Sequence, residues 1–144
     1  MSASIIALAA DHAGFELKNA LKIAIEQRGL GVLDLGTHEG ASVDYPDMAD
    51  ALAAALGEGR AGRGVLVCGT GIGISIAANR HRHIRAALCH DVTTATLARQ
   101  HNDANVFVLG ARVVGASVAA DSLAVFLETP FLGGRHQRRV DKLG

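Results

Sequence analysis

Short apolar runs and amphipathic stretches alternate along the whole chain. Ser4–Ala9 (SIIALA) opens with an almost unbroken apolar run, which reads as a strand buried on both faces. From Phe15 to Arg28 the period lengthens. Phe15, Leu17, Leu21 and Ile25 fall inward, while Glu16, Lys18, Lys22 and Glu26 fall outward. That is an amphipathic helix, and Gly29 fits its stop. Further strands are expected at Val32–Leu35, Val65–Cys68, Ile84–Cys89 and Val106–Leu109. Helices are expected at Met48–Leu56, in the stretch up to Asn79, at Val92–Gln100 and at Val114–Leu127. Pro46 suits the start of the second helix, and the Asp91 carboxylate can cap the fourth. The basic segment from Pro130 to Gly144 reads as irregular.

Five βα units in succession, with continuous rather than alternating apolar strands, predict a parallel sheet covered on both faces. The expected fold is a Rossmann-like, doubly wound three-layer α/β sandwich with a five-stranded parallel sheet. Residues 1–144 read as a single domain with a basic C-terminal tail at about 130–144. Ligands of such sheets bind outside the carboxyl ends of the strands. That rule directs attention to Asp11-His12, Cys68–Gly73, Cys89-His90-Asp91 and Gly110–Arg112.

Composition narrows the function. Hydrophobic residues make up 49% of the 144 residues and there are only two prolines, so the chain can bury a core and disorder is not expected. Formal net charge is zero with neutral histidines. No overall field favours nucleic acid or an anionic membrane, and any anion site must be built locally. One Tyr and no Trp leave little to stack unpaired bases. Cys68 and Cys89 form no CxxC, which argues against a disulfide framework or a Cys-rich zinc site. The N-terminal apolar run lacks a basic leader and stops at Asp11, and no run reaches the ~20 apolar residues of a membrane helix. A reducing cytoplasm is the expected setting.

The strongest chemical signal is Val65-Leu-Val-Cys-Gly-Thr-Gly-Ile-Gly73. Glycines at alternate positions between a strand and a helix expose backbone N–H groups, which suits a phosphate or an oxyanion. The loop is neither GxxxxGK[ST] nor GxGxxG. Asp91 lies where a dinucleotide fold could place its ribose-binding acid, but it reads better as a cap. A Cys-x5-Arg phosphatase would need Arg at position 74, which is Ile. Cys68 directly before this cradle should be favoured as a thiolate, fit to act as a nucleophile or a carbon-acid base. A buried cysteine at a strand end can also be a small hydrophobe, the role expected of Cys89. Asp11-His12 could be a helix cap with a surface His, and His101-Asn102-Asp103 a polar turn. His81 and His83 form an HxH without an acidic or Cys partner at useful spacing. Arg135 and Arg139 would share one face if the tail were helical, and Arg112 follows the fifth strand.

These residues converge on a family. ALAADHAGFELK, DLGTH, DYPDMA, VCGTGIGISIAANR, IRAALCHD, ARQHNDANV, LGARVVG and GGRHQRRV, spread from residue 7 to residue 140, closely resemble ribose-5-phosphate isomerase B. That group belongs with the galactose-6-phosphate isomerase subunits. The resemblance implies interconversion of ribose 5-phosphate and ribulose 5-phosphate through an enediolate, without a metal or other cofactor. Cys68 matches the base. Some relatives use an acidic residue of the following helix instead, but Ile74-Ser75-Ile76-Ala77 holds none. His101 matches the residue proposed to open the furanose ring, and Asp11 and Asn102 match contacts to sugar hydroxyls. Gly69, Thr70, Gly71, Ile72 and Gly73 match the enediolate's anion hole. His12, Arg112, Arg135 and Arg139 match the phosphate end. The resemblance further implies a homodimer or homotetramer with its site at a subunit interface. Isomerisation of a hexose 6-phosphate of the allose or galactose type would use the same groups. A non-catalytic sugar-phosphate sensor is the reading from another class, disfavoured by the intact set of Cys68, Thr70, His101 and Asp11.

Overall fold

A computed structural model describes residues 2–144; Met1, the first residue of the expected domain, lies outside the described residues. A single 3-10 turn, Ser2–Ser4, precedes β1 (Ile5–Ala10), so the strand expected from Ser4 starts one residue later. The chain continues through α1 (Phe15–Gln27), β2 (Gly31–Asp34), α2 (Tyr45–Gly57), β3 (Arg63–Cys68) and α3 (Ile72–Ala78). It ends with β4 (Ala86–Leu88), α4 (Val92–Asn102), β5 (Val106–Gly110), α5 (Ala116–Glu128) and α6 (Arg135–Asp141). Among the described residues the strands form one five-stranded sheet in the order β2-β1-β3-β5-β4, parallel throughout. The expected doubly wound α/β architecture is the observed one.

Alternate strand residues feed two cores. Ile6, Leu8, Val65, Val67, Phe107 and Leu109 face α1, α4 and α5, where they meet Leu21, Ile25, Ala98, Leu123 and Phe126. Ala7, Ala9, Leu66, Val106 and Val108 face α2 and α3, packing on Ala49, Leu52, Ala53, Ile74 and Ala78. Small side chains on both β1 and α2 let that helix lie close to the sheet. Phe107 and Phe126 supply the aromatic contact of the first core, with centroids 5.3 Å apart. No helix among the described residues is long and apolar enough to cross a membrane.

Four expectations change. Lys18, placed outward by helical periodicity, is 0% exposed. Its ammonium donates to Asp34 Oδ1 at 2.6 Å, where the carboxylate closing β2 meets the flank of α1. The tail is not irregular: α6 packs on α4, with His136 and Val140 on its buried side. Residues 101 and 102 are not a polar turn but the last two residues of α4. The turn falls instead at Asp103, in the left-handed region at φ 46. Arg99 and Arg85 both donate to its carboxylate, and Arg85 Nε donates to its carbonyl at 2.8 Å. β4 is also shorter than expected, because the amide of Arg85 is taken by Asn105 and both backbone groups of Ala86 bond to Asn79.

The Lys18–Asp34 pair does more than fill space. Asp34 Oδ1 also accepts from the amide of Gly36 at 3.0 Å, and Gly36 and Thr37 continue the β1 pairing through Ala10. Burial alone would raise the Asp34 carboxyl, but the Lys18 hydrogen bond, the Gly36 amide and the Lys18 and His38 charges together hold it below its ordinary value. Lys18→Met leaves this carboxylate without its main partner and should cost about 3 kcal/mol in urea unfolding. A group lowered on folding stabilises above its unfolded pKa of about 3.9. The wild-type contribution is therefore lost as pH falls through the lowered folded value. Unfolding midpoints of wild type and Lys18→Met should converge at acid pH.

Candidate active site

The connections of β1 and β3 leave in opposite directions, so the crevice between their carboxyl ends is the switch point where such sheets bind ligands. Asp11 and Cys68 stand there together. The Asp11 amide donates to Val67 O at 3.2 Å. Its Oδ1 accepts from the amides of Ala13 at 3.0 Å and Gly14 at 3.1 Å, which fixes the side chain at 7% exposure. His12, next in the chain, is exposed, and its Nδ1 accepts from the amide of Val43 at 3.3 Å. That bond leaves the proton to Nε2, which can donate outward.

Cys68 is 5% exposed, and its Sγ accepts from the amide of Gly71 at 3.1 Å. Gly71 has φ +81, and a Cβ there would lie 2.9 Å from the Leu109 carbonyl carbon. Both facts restrict this position to glycine. Thr70 is exposed, and its Oγ1 accepts from the amide of Ile72 at 3.2 Å. Two amides expected to face a ligand, those of Gly71 and Ile72, thus point at the sulfur and hydroxyl of the turn itself. Gly73 has a different reason: a Cβ would lie 2.6 Å from the Tyr45 ring. Arg112 joins this edge, because its amide donates to Gly69 O at 2.9 Å and its side chain runs alongside Gly69.

The remaining expected site residues are elsewhere. A crossover helix returns the chain to the start of the next strand, so the end of α4 lies at the amino edge of the sheet. His101 and Asn102 are there, with Asn102 exposed. α6 is tied to the same edge, since Leu132 N donates to Gln100 O at 3.1 Å and Arg99 Nε to Thr129 O at 3.1 Å. Arg135 and Arg139 are exposed on it. In register, Cys68 pairs with Gly110 and Gly64 with Val106. The two edges are therefore at least about 13 Å apart along β5. Within one chain, Asp11, His12, Cys68–Gly73 and Arg112 converge. His101, Asn102, Arg135 and Arg139 form a second group on the far side.

The sequence profile of the ribose/galactose isomerase family matches residues 6–143. Ribose-5-phosphate isomerase B of Escherichia coli is 44% identical over 138 residues, covering 96% of this chain and 93% of that protein. Ribose-5-phosphate isomerase B of Thermotoga maritima superposes with a TM-score of 0.94 at 50% identity, covering 96% of each chain. The Clostridium thermocellum enzyme of the same name gives 0.96 at 46%, covering 97% of this chain and 95% of that one. This chain belongs to the ribose/galactose isomerase family. It is an isomerase.

Several contacts of this family member escaped sequence reasoning, although His90 is expected at the ligand edge. Tyr45 covers Gly73, His90 Nε2 accepts from the amide of Gly110 at 3.3 Å beside the Cys68 turn, and His136 stacks on His101. Each depends on contacts between distant segments that no local pattern announces. Other groups have structural partners. His81 Nε2 lies 2.8 Å from Asp50 Oδ1 and His83 Nε2 lies 2.8 Å from Ala53 O. Asp91 caps α4 through the Thr94 amide at 2.6 Å. Burial pushes the Cys89 thiol up to about 11, with Asp91 adding to the rise against a lowering contact from Thr94. Cys89 is thus a protonated thiol at neutral pH, across the sheet from Cys68.

Gly73→Ala should push the half-exposed Tyr45 ring from its place and lower stability by about 1 kcal/mol, the low end of an overpacking cost. Tyr45→Ala in the same chain should recover most of the lost unfolding free energy. Recovery in chemical denaturation checks that Gly73 is required by the ring packed on it.

Proposed function

We propose that this isomerase interconverts ribose 5-phosphate and ribulose 5-phosphate, with Cys68 as its base. The observation that carries the reading is the sulfur itself. It stands at the switch crevice where β1 and β3 end, and the turn that follows folds back so that an amide meets it at 3.1 Å. As a thiolate, Cys68 takes the C2 proton of the open aldose. The C–H electron pair becomes the C1–C2 double bond and the carbonyl oxygen becomes the enediolate oxygen. Return of the proton to C1, with transfer of a proton from O2 to O1, gives the ketose. Amides of the turn stabilise the charge as it develops, each worth ~3–4 kcal/mol in comparable sites. Before that step His101 opens the furanose by delivering a proton to the ring oxygen. The C1–O4 bond breaks as the anomeric hydroxyl loses its proton and C1 becomes a carbonyl. His12 and Arg112 bind phosphate at one edge, Arg135 and Arg139 supply the opposing clamp, and the held phosphate lends binding energy to orientation.

One chain cannot assemble these groups, because its two sets lie at opposite edges of one sheet. The proposed unit is a homodimer, or a homotetramer of such dimers, in which the carboxyl edge of one copy meets the amino edge of its partner. Ile72 and Ile76, 55% and 54% exposed and one turn apart on α3, offer an apolar seam next to Thr70. Cys68→Ala should lower turnover of ribose 5-phosphate by at least about 10²-fold, with EDTA without effect on wild type. Wild-type turnover in that variant overturns the base assignment. Mixing Cys68→Ala with His101→Asn under subunit exchange should restore about a quarter of wild-type activity, since half the dimers then hold one intact site. A mixture that stays as inactive as its components places each site within one chain.

A second reading concerns the length of the sugar. A relative from Pectobacterium atrosepticum named D-erythrulose-4-phosphate isomerase is 44% identical over 140 residues, close to the identity with the E. coli enzyme. The base and turn would serve a tetrose or a hexose 6-phosphate equally. The position of the phosphate clamp and the loop of residues 37–45 would set the difference. Initial rates on tetrose, pentose and hexose phosphates decide it, and ribose 5-phosphate is expected to be the fastest.

A further inference from the structure

His136 is a buried imidazole to which no role has been given. It sits in the first turn of α6 at 8% exposure, and its ring lies 4.3 Å from that of His101 with 13° between the planes. The two rings come from different helices. The segment between α5 and α6 is bonded to the end of α4 through Leu132 and Arg99, and the His136 amide donates to Gly133 O at 3.0 Å. These bonds turn His136 inward while its neighbours Arg135 and Arg139 stay exposed.

A proton-transfer group must hold one nitrogen within roughly 2.6–3.2 Å of the atom it serves. The terminal torsion of a histidine has broad wells and does not do this alone. A second ring lying flat on the first limits that rotation while leaving the edge nitrogens free. Burial, then His101, Arg135 and Arg139, all push the His136 pKa below its ordinary value. At neutral pH the platform is therefore an uncharged ring, which adds no positive charge beside the two guanidiniums.

We propose that His136 is a positioning residue that fixes the plane of the His101 imidazole by stacking on it, and so sets the ring-opening step. This rests on His101 acting as the ring opener. His136 does not touch the sugar and acts only through its neighbour.

The test is steady-state kinetics of the intact enzyme on ribose 5-phosphate. In His136→Ala, kcat should fall about tenfold or more while KM moves by less than about twofold, as expected for a misoriented group rather than a lost contact. His136→Phe keeps a flat ring and should stay within about threefold of wild-type kcat. The His101→Asn/His136→Ala double variant should be no slower than His101→Asn alone. If the alanine variant does not fold, His136→Gln takes its place with the same expectations. Wild-type kcat in His136→Ala overturns the proposal, as does a raised KM with unchanged kcat, or a double variant slower than His101→Asn by the full His136→Ala factor. Wild-type kcat in His101→Asn overturns the ring-opening reading itself. That failure is distinct, because failure of the stack alone leaves His101→Asn slow and His136→Ala fast.

Discussion

In an all-parallel sheet every strand delivers its last residue to the same edge, and every crossover helix must carry the chain back to the opposite one. That polarity governs where chemistry can stand in this protein. Strand ends and the turns that follow them, carrying Asp11, His12, Cys68 and Arg112, share the carboxyl edge. Groups at the ends of crossover helices, such as His101 and Asn102, share the amino edge. A catalytic set drawn from both edges is divided within one chain by the length of the strands themselves. The sheet's geometry thus turns association with a second copy from an accessory property into a condition for assembling the proposed site.

Around each edge, the local structure is held by side chains that bind backbone. Asp11 accepts two amides of its own turn, and the Cys68 sulfur accepts one of its own. At the far edge Asp103 adopts a left-handed conformation uncommon for a non-glycine residue. Arg85 and Arg99 meet its carboxylate, and Arg99 also donates to Ala104 O at 2.6 Å. This network fixes where α4 stops, and therefore where His101 and Asn102 point. Lys18 and Asp34 do the same beneath the loop that reaches His12. They secure Gly36, and the chain beyond it brings Val43 to the imidazole.

The cluster of glycines after β3 has more than one cause. Gly71 is required by a positive φ and by the approach of Leu109, whereas Gly73 is where the half-exposed ring of Tyr45 lies against the backbone. A motif read as a single anion cradle is partly a packing device, and two of its amides are engaged by neighbours within the turn. A substrate oxyanion would share or displace those contacts. Cys68 and Thr70 thereby belong both to the internal order of the turn and to the proposed reaction.

By itself the sequence determined the βα alternation, the burial of the three central strands on both faces, and the family, because these depend on local periodicity and short motifs. It also placed the Asp91 cap, whose partner lies one helical turn away. Only the tertiary structure decided the fate of Lys18, since periodicity assigns a charged residue to solvent unless a distant carboxylate meets it. It alone turned the basic tail into α6 against α4 and brought His136 onto His101, because that contact joins segments with no shared local pattern. The division of the candidate site between two edges was likewise decided by the order and direction of the strands, a property of the assembled sheet that no stretch of sequence carries.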